Sequence, residues 1–205
     1  MIELMRKIFF QFLSLFEISM IFIIKRIMDK YFFENSEEEC WANLVKFQEE
    51  YNVFSDITRT KGKWYSDSTG YTINKLGEKR KFNIEIKNRK QILLDDGTVS
   101  GCSKTGKLYK EETIMIESHK AGDLFFDNII GLEPLYVNFL IDGSVIIFNL
   151  NKLKKLPEKS ETMNIMSRGY GKMEMAKRRF LYISDAAIYK NGKLIKKAGE
   201  EWKTQ

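Results

Sequence analysis

The stretch of sequence that decides the fold is residues 83–89, which read Asn-Ile-Glu-Ile-Lys-Asn-Arg. Polar and apolar residues alternate along it, as is typical of a β-strand with two different faces. Successive side chains of a strand point to opposite faces, so Glu85 and Lys87 share one face while Ile84 and Ile86 share the other. The pattern therefore predicts a carboxylate and an ammonium side by side on a sheet.

An acidic residue lies upstream at a distance that suits a hairpin. Asp67 falls in a predicted strand over Trp64–Ile73, and the strand predicted over Arg80–Asn88 carries Glu85 and Lys87. An acid from the neighbouring strand would complete a site for Mg²⁺ beside a lysine. Phosphodiester cleavage needs a metal that activates water and a cation that offsets the developing charge. The alternative is a solvated Glu-Lys pair, since Glu-x-Lys also occurs at residues 201–203 in a polar stretch.

Composition bounds the class of protein. The chain has 205 residues, of which 43% are hydrophobic and 30% charged, as expected of one globular domain. The net charge of +6 is compatible with a polyanionic partner. Cys40 and Cys102 have no metal-ligand spacing and form no disulfide framework, which favours a reducing, cytoplasmic location. His119 is the single histidine, so His-rich metal chemistry is excluded, and we expect it at the surface.

Residues 1–30 differ from the rest of the chain and are treated as an N-terminal extension. The segment Ile8–Ile24 is strongly apolar but short for a membrane span, and Glu17 lies at its centre. Three interpretations stay open. The segment is a helix packed on the domain or on a membrane, a marginal transmembrane anchor, or an artefact of start-site choice with translation beginning at Met28.

Residues 31–205 are expected to form a single domain. Ser36 and Glu39 have capping-box spacing, and apolar residues at helical spacing predict a helix that stops at Asn52. Residues 97–110, rich in Ser, Gly, Thr and Lys, are expected to be a loop. A short helix is predicted over residues 124–130.

Turn signals predict two hairpins in the C-terminal half. Asp142-Gly143 joins two apolar runs between residues 134 and 150, which indicates a hairpin buried on both faces. Asn191-Gly192 indicates a second hairpin, after a strand at Phe180–Ile183. Residues 151–179 are basic, show little periodicity and are interpreted either as a track for a nucleic-acid backbone or as a solvated face.

The order of helix, strands, Asp67 and strand-borne Glu-x-Lys resembles the PD-(D/E)XK nuclease superfamily over residues 33–150. A closer resemblance is to small nuclease-like proteins of phages and mobile elements. They combine an Asp with Glu-Ile-Lys-x-Arg, Ile-Glu-x-x-Lys and a Pro-Leu-Tyr hairpin, here at residues 85–89, 116–120 and 134–136. One departure is that Ser68 to Gly70 follow Asp67 where a Gly or apolar residue is usual, so Asp56 is kept as an alternative first ligand.

The resemblance implies an α/β (α+β) fold with a restriction-endonuclease-like core. A mixed central sheet would be flanked by helices, and the hairpin near the C-terminus would be an addition. It also implies that Asp67 and Glu85, with the carbonyl of Ile86, hold Mg²⁺ or Mn²⁺. Lys87 would orient the attacking water or stabilise the charged phosphate.

Further residues receive roles on the same basis. Glu38 would face the metal from the first helix, with simple helix capping as its alternative, and Glu117 would support Lys120 or the metal ligands. The expected contacts to the nucleic-acid backbone come from cationic side chains, each of which has a solvated surface position as its alternative: Arg89, Lys120, Lys172 and Arg178.

The function expected from the sequence is a Mg²⁺-dependent DNA endonuclease or exonuclease. The alternative is a non-catalytic nucleic-acid or protein-binding module on a degenerate nuclease fold. DNA is the expected partner and a second copy of the chain, in a homodimer, is a further candidate. A membrane is a partner only if residues 8–24 are a real anchor.

Overall fold

The computed structural model describes residues 36–60, 67–102, 108–118, 120–122, 124, 131–153, 158–164 and 173–202. The chain divides into two compact units, Met1–Glu39 and Cys40–Gln205. The predicted N-terminal extension, including its apolar segment 8–24, lies outside the described residues. Among the described residues, none belongs to a helix with the length and apolar character needed to cross a membrane.

The described chain is mixed α/β and rich in strands. Helix α1 covers residues 36–51, and a helical turn, α2, includes residues 118, 120–122 and 124. The strands are β1 Asp56–Arg59, β2 Ser68–Ile73, β3 Lys79–Arg89, β4 Ile92–Leu93, β5 Val99–Cys102, β6 Leu108–Glu111, β7 Thr113–Glu117, β8 Glu133–Leu140, β9 Val145–Asn149, β10 Glu158–Asn164, β11 Met173–Tyr182, β12 Ala187–Lys190 and β13 Lys193–Lys196.

The central sheet has the strand order β1-β2-β3-β8-β9-β12-β13. Its pairs are antiparallel except for β3 and β8, which run parallel. A parallel pair needs a crossover connection. This crossover carries β4, β5, β6, β7 and α2. Two three-stranded sheets, β4-β5-β6 and β10-β11-β7, complete the described strands.

Helix α1 covers one face of the central sheet. The alternation along β3 sends Ile84 and Ile86 toward Leu44 and Phe47 of α1, which are spaced three residues apart. Asn52 follows the helix with a φ of 48°, a left-handed conformation that asparagine tolerates and that ends the helix as predicted. The buried residues of this helix-side core are Leu44, Phe47, Phe54, Phe82, Ile84, Ile86, Leu135, Val137, Phe139, Val145 and Ile147.

The opposite face of the sheet is covered mainly by strands. The expectation of a sheet flanked by helices therefore holds in part, because the helical structure described on this side is short: α2 and the 3-10 turns Leu150–Lys152 and Ile183–Asp185. The buried residues of this strand-side core are Leu93, Val99, Ile114, Ile116, Ala121, Leu124, Tyr136, Leu140, Ile146, Phe148, Leu150, Leu181, Ile183, Ala186 and Ile188.

The expectation of a loop over residues 97–110 is wrong at both ends, where β5 and β6 pair. Gly101 lies opposite Tyr109, and a Cβ on this glycine would clash with the Tyr109 hydroxyl. The close approach explains why glycine suits this strand. All four residues of β6 are exposed, so the strand lacks the apolar alternation by which sequence reveals strands.

Both predicted hairpins are confirmed. Strands β8 and β9 pair around Asp142-Gly143, and their residues are buried along most of their length. Strands β12 and β13 pair around Asn191 and Gly192, whose φ values of 51° and 72° are those of a tight hairpin turn. The second hairpin forms one edge of the central sheet.

The Asp142 side chain ties the first hairpin to its neighbours. Its Oδ2 accepts hydrogen bonds from Lys190 Nζ at 3.1 Å, Ser144 Oγ at 2.9 Å and Leu93 N at 3.3 Å. Burial acts to raise the pKa of this carboxyl, but the bonds from Lys190 and Ser144 outweigh it and lower the pKa. One carboxylate thus connects the turn to β4 and β12.

We expect Asp142→Asn to reduce the free energy of unfolding by about 1–2 kcal/mol near neutral pH, because the charge-assisted bonds are lost. The folded-state pKa is depressed, so this stabilisation is present above the unfolded value of about 3.9 and is lost as the pH falls through the lower, folded-state pKa. Urea unfolding between acidic and neutral pH measures the difference. Asp56→Asn, on exposed β1, is the control; a penalty that persists at the acid end would contradict the account.

Candidate functional site

The central residue of the site is Glu85, whose side chain has no solvent exposure. It lies on β3 in parallel register with Tyr136 of β8, and Lys87 is in register with Asn138. These four side chains face the strand-side core, because Ile84 and Ile86 take the other face of the strand. Glu85, Tyr136 and Asn138 are all buried. The structure thus places a polar row inside an otherwise apolar layer.

Two ammonium groups compensate the charge of Glu85. Lys87 Nζ lies 3.3 Å from Oε1, and Lys120 Nζ lies 3.2 Å from Oε1 and 3.2 Å from Oε2. Only the contact between Lys120 and Oε2 has hydrogen-bond geometry, so Oε1 accepts no hydrogen bond from the described residues. A buried oxygen with ionic neighbours and no hydrogen bond retains the capacity to ligate a cation.

Asp67 directly precedes β2 and lies beside the middle of β3. Its amide donates to Ile84 O at 3.1 Å, and its Oδ2 accepts a hydrogen bond from Ile86 N at 2.7 Å. The amide and the carbonyl of one strand residue point to the same side of the strand. The Ile86 carbonyl therefore points to the side of β3 on which Asp67 lies. The carboxylate of Asp67 and the backbone of Ile86 therefore meet beside Glu85, while the metal-ligand roles predicted for these residues stay a prediction.

The alternative first ligand, Asp56, does not reach this place. It pairs with Tyr71 near the other end of β2 and is exposed. Asp67 is in contact with the backbone between Glu85 and Lys87, whereas Asp56 belongs to the edge strand β1. Of the two aspartates, the structure brings only Asp67 to the site.

The carboxylates of Glu85 and Asp67 lie close together, and the ammonium groups of Lys87 and Lys120 compensate their charge in part. Burial raises the pKa of the Glu85 carboxyl and the nearby Asp67 carboxylate adds to the rise, while Lys87 and Lys120 oppose it. Burial acts to lower the pKa of Lys87, but the charge of Glu85 outweighs it and raises that pKa above the ordinary value for lysine. A cation between the two carboxylates would relieve their repulsion.

The donor set fits a hard divalent cation only with help from the backbone. The described residues contain no group of three His, Cys, Asp or Glu side chains that could hold a metal. Asp67 and Glu85 supply two carboxylates, and the Ile86 carbonyl would be a third oxygen. Mg²⁺ commonly takes one or two protein carboxylates and completes its shell with water and substrate oxygens, so the set is adequate for it.

Arg89 makes contacts that the sequence did not indicate. Its Nε donates to Asn138 Oδ1 at 3.0 Å, and its Nη2 donates to Met115 O at 2.5 Å and to the Tyr136 hydroxyl. These contacts join β3, β7 and β8 and give Arg89 a structural role. The phosphate contact predicted for Arg89 stays a prediction.

The remaining predicted residues belong to several different elements. Lys120 belongs to α2 and contacts Glu85, which makes it part of the site. Glu117 and Arg178 are opposite each other in the ladder between β7 and β11. Glu38 is exposed on the first turn of α1, in the unit of residues 1–39. Lys172 and His119 lie outside the described residues.

Asn138 and Tyr136 belong to the site and were missed as functional candidates. Asn138 is a polar residue within an otherwise apolar strand. This pattern is visible in the sequence and could have marked Asn138 as a functional candidate. Its Oδ1 accepts from Arg89, while its buried Nδ2 has no hydrogen-bond partner among the described residues. Tyr136 enters the sequence-based prediction only as part of the Pro-Leu-Tyr resemblance.

Comparison of the chain with protein-family models, with curated proteins and with solved structures finds no match. The function of the protein therefore has to be inferred from the geometry of the site.

The two arginines of β3 provide a matched test of the structural role of Arg89. We expect Arg89→Met to reduce the free energy of unfolding by about 3 kcal/mol, because partly buried acceptors lose their donor. Arg80→Met should cost less than about 1 kcal/mol, because the Arg80 side chain is 47% exposed and its pair with Glu133 lies at the surface. Denaturant unfolding of both variants measures the difference. Equal losses would remove the structural role assigned to Arg89.

Proposed function

We propose that the protein is a Mg²⁺-dependent nuclease that hydrolyses phosphodiester bonds in DNA. The observation that carries the proposal is the fully buried Glu85 carboxylate, with Lys87 Nζ at 3.3 Å and with the Asp67 carboxylate bonded to the adjacent Ile86 amide. A buried charge is costly, and a charge placed beside a second carboxylate is more so. Such arrangements concentrate at functional sites.

The order of elements supports the same proposal. Helix α1 is followed by the antiparallel strands β1, β2 and β3, and then by a crossover to the parallel strand β8. This is the order expected of a restriction-endonuclease-like core, with Glu-x-Lys on the third strand. The finer assignment to that core is part of the proposal.

Each residue has a defined part in the proposed reaction. Asp67, Glu85 and the Ile86 carbonyl would hold Mg²⁺ or Mn²⁺, which when bound polarises the phosphate and lowers the pKa of water. Lys87 reaches solvent, with 45% of its side chain exposed, while its ammonium stays near Glu85. It is therefore positioned to orient a water molecule or to stabilise charge that develops on the phosphate.

The substrate class is inferred from charge and access. The net charge of +6 favours a polyanion, and Lys87, with 45% of its side chain exposed, connects the site to solvent. A phosphate of a nucleic-acid backbone can approach this lysine without the whole strand entering the protein. DNA is the substrate carried over from the sequence resemblance.

A second candidate function is a binding module without catalysis. The observation that favours it is that two ammonium groups already neutralise Glu85, so the fold does not need a metal to tolerate the buried charge. Such a module would bind nucleic acid through its basic residues and show no dependence on divalent cations. Cleavage assays separate the two functions.

We expect the protein to cleave plasmid, linear or single-stranded DNA with Mg²⁺ or Mn²⁺, and cleavage to stop when EDTA is added. Lys87→Ala should slow cleavage by about 10²–10³-fold, because a charge aimed at the transition state is removed. Glu85→Gln should be at least as severe, because a metal ligand is lost. Rates from gel assays at saturating metal measure both effects.

The matched controls are Lys81→Ala, an exposed lysine of the same strand, and Glu49→Gln, an exposed glutamate of α1. Both should cleave at the parent rate, and DNA binding should survive in Lys87→Ala. Parent-like cleavage by Lys87→Ala and Glu85→Gln would reject the proposed mechanism. Metal-independent DNA binding without cleavage by the parent would favour the binding module.

A further inference from the structure

Lys120 holds the Glu85 carboxylate in a way that differs from Lys87. Its Nζ lies 3.2 Å from both carboxylate oxygens and donates a hydrogen bond to Oε2, whereas Lys87 Nζ forms an ion pair with Oε1 at 3.3 Å. Lys120 Nζ is therefore equidistant from the two carboxylate oxygens, which is the position that a cation in contact with both oxygens would take.

From this geometry we infer that Lys120 is an internal counter-ion, and that its ammonium and a divalent cation are alternative occupants of the Glu85 carboxylate. The inference rests on the proposed function, because it takes Glu85 as a metal ligand. It goes further by assigning Lys120 a part in metal binding itself. In the metal-free protein the ammonium supplies the charge that a buried carboxylate requires.

Distance and charge both oppose the binding of Lys120 and of a divalent cation to Glu85 at the same time. A Mg²⁺ ion bound to a carboxylate oxygen lies about 2.1 Å from it. Lys120 Nζ, at 3.2 Å from both oxygens, occupies the position that a cation in contact with both oxygens would take, and it carries a charge of the same sign. Metal binding to both oxygens of Glu85 therefore requires the ammonium to move away.

Lys120 is the lysine that comes from outside the central sheet. Lys87 belongs to β3, whose backbone is held by β8 in continuous parallel register through Arg89. Lys120 belongs to the helical turn α2, and 29% of its side chain is exposed, so its ammonium has access to solvent. Once displaced, its ammonium needs another anion, and a phosphate of the nucleic-acid backbone would supply one. Binding of metal and binding of phosphate would then favour each other.

The test uses the full chain and Mn²⁺ as the probe. Titration calorimetry should show that Lys120→Met binds Mn²⁺ at least about tenfold more tightly than the parent, because a competing positive charge is gone. Lys81→Met should bind Mn²⁺ as the parent does. In the parent, acetylation of Lys120 measured by mass spectrometry should rise several-fold when Mg²⁺ is added, relative to acetylation of Lys81.

The acetylation experiment uses the parent protein, so the inference stays testable if Lys120→Met fails to fold. If the parent binds Mn²⁺ and cleaves DNA but Mg²⁺ leaves Lys120 acetylation unchanged, the inference is overturned and the proposed function stands. The same holds if Lys120→Met folds and binds Mn²⁺ no more tightly than the parent. If neither the parent nor Lys120→Met binds Mn²⁺, the proposed function and the inference fail together.

Discussion

The burial of one carboxylate, that of Glu85, constrains the arrangement around it. A side chain with no solvent exposure cannot keep a charge without close partners, and here the partners are Lys87 on the same strand and Lys120 on the crossover. The crossover is itself required because β3 and β8 run parallel. The topology that buries Glu85 thus also supplies the lysine that compensates it.

Glu85 and Arg89 lie on the same face of β3, and the surrounding residues hold the two side chains differently. At Arg89, hydrogen bonds to Asn138, Tyr136 and Met115 join three strands, so this side chain is held in place. At Glu85, Oε1 accepts no hydrogen bond from the described residues and a second carboxylate lies nearby. A rigid support beside an incompletely satisfied carboxylate is the arrangement expected of a ligand site.

The parts of the fold that could be predicted from sequence are those with strong local signals. Alternation indicated strand β3, and Asp142-Gly143 and Asn191-Gly192 indicated two hairpins. The strands β5 and β6 were missed because pairing, rather than apolar periodicity, maintains them. Among site residues, the shared face of Glu85 and Lys87 was predictable from strand periodicity. The contact of Lys120 with Glu85 depends on the crossover and joins residues 35 apart in sequence, which local patterns do not report.

The central claim is that Asp67, Glu85 and the Ile86 carbonyl form one cation site. The most direct measurement is anomalous X-ray diffraction from crystals of the protein soaked in Mn²⁺. The account predicts an anomalous peak about 2.0–2.4 Å from a carboxylate oxygen of both Asp67 and Glu85 and from Ile86 O. A Mn²⁺ concentration that fully occupies other surface carboxylates but leaves no peak at this position would contradict it.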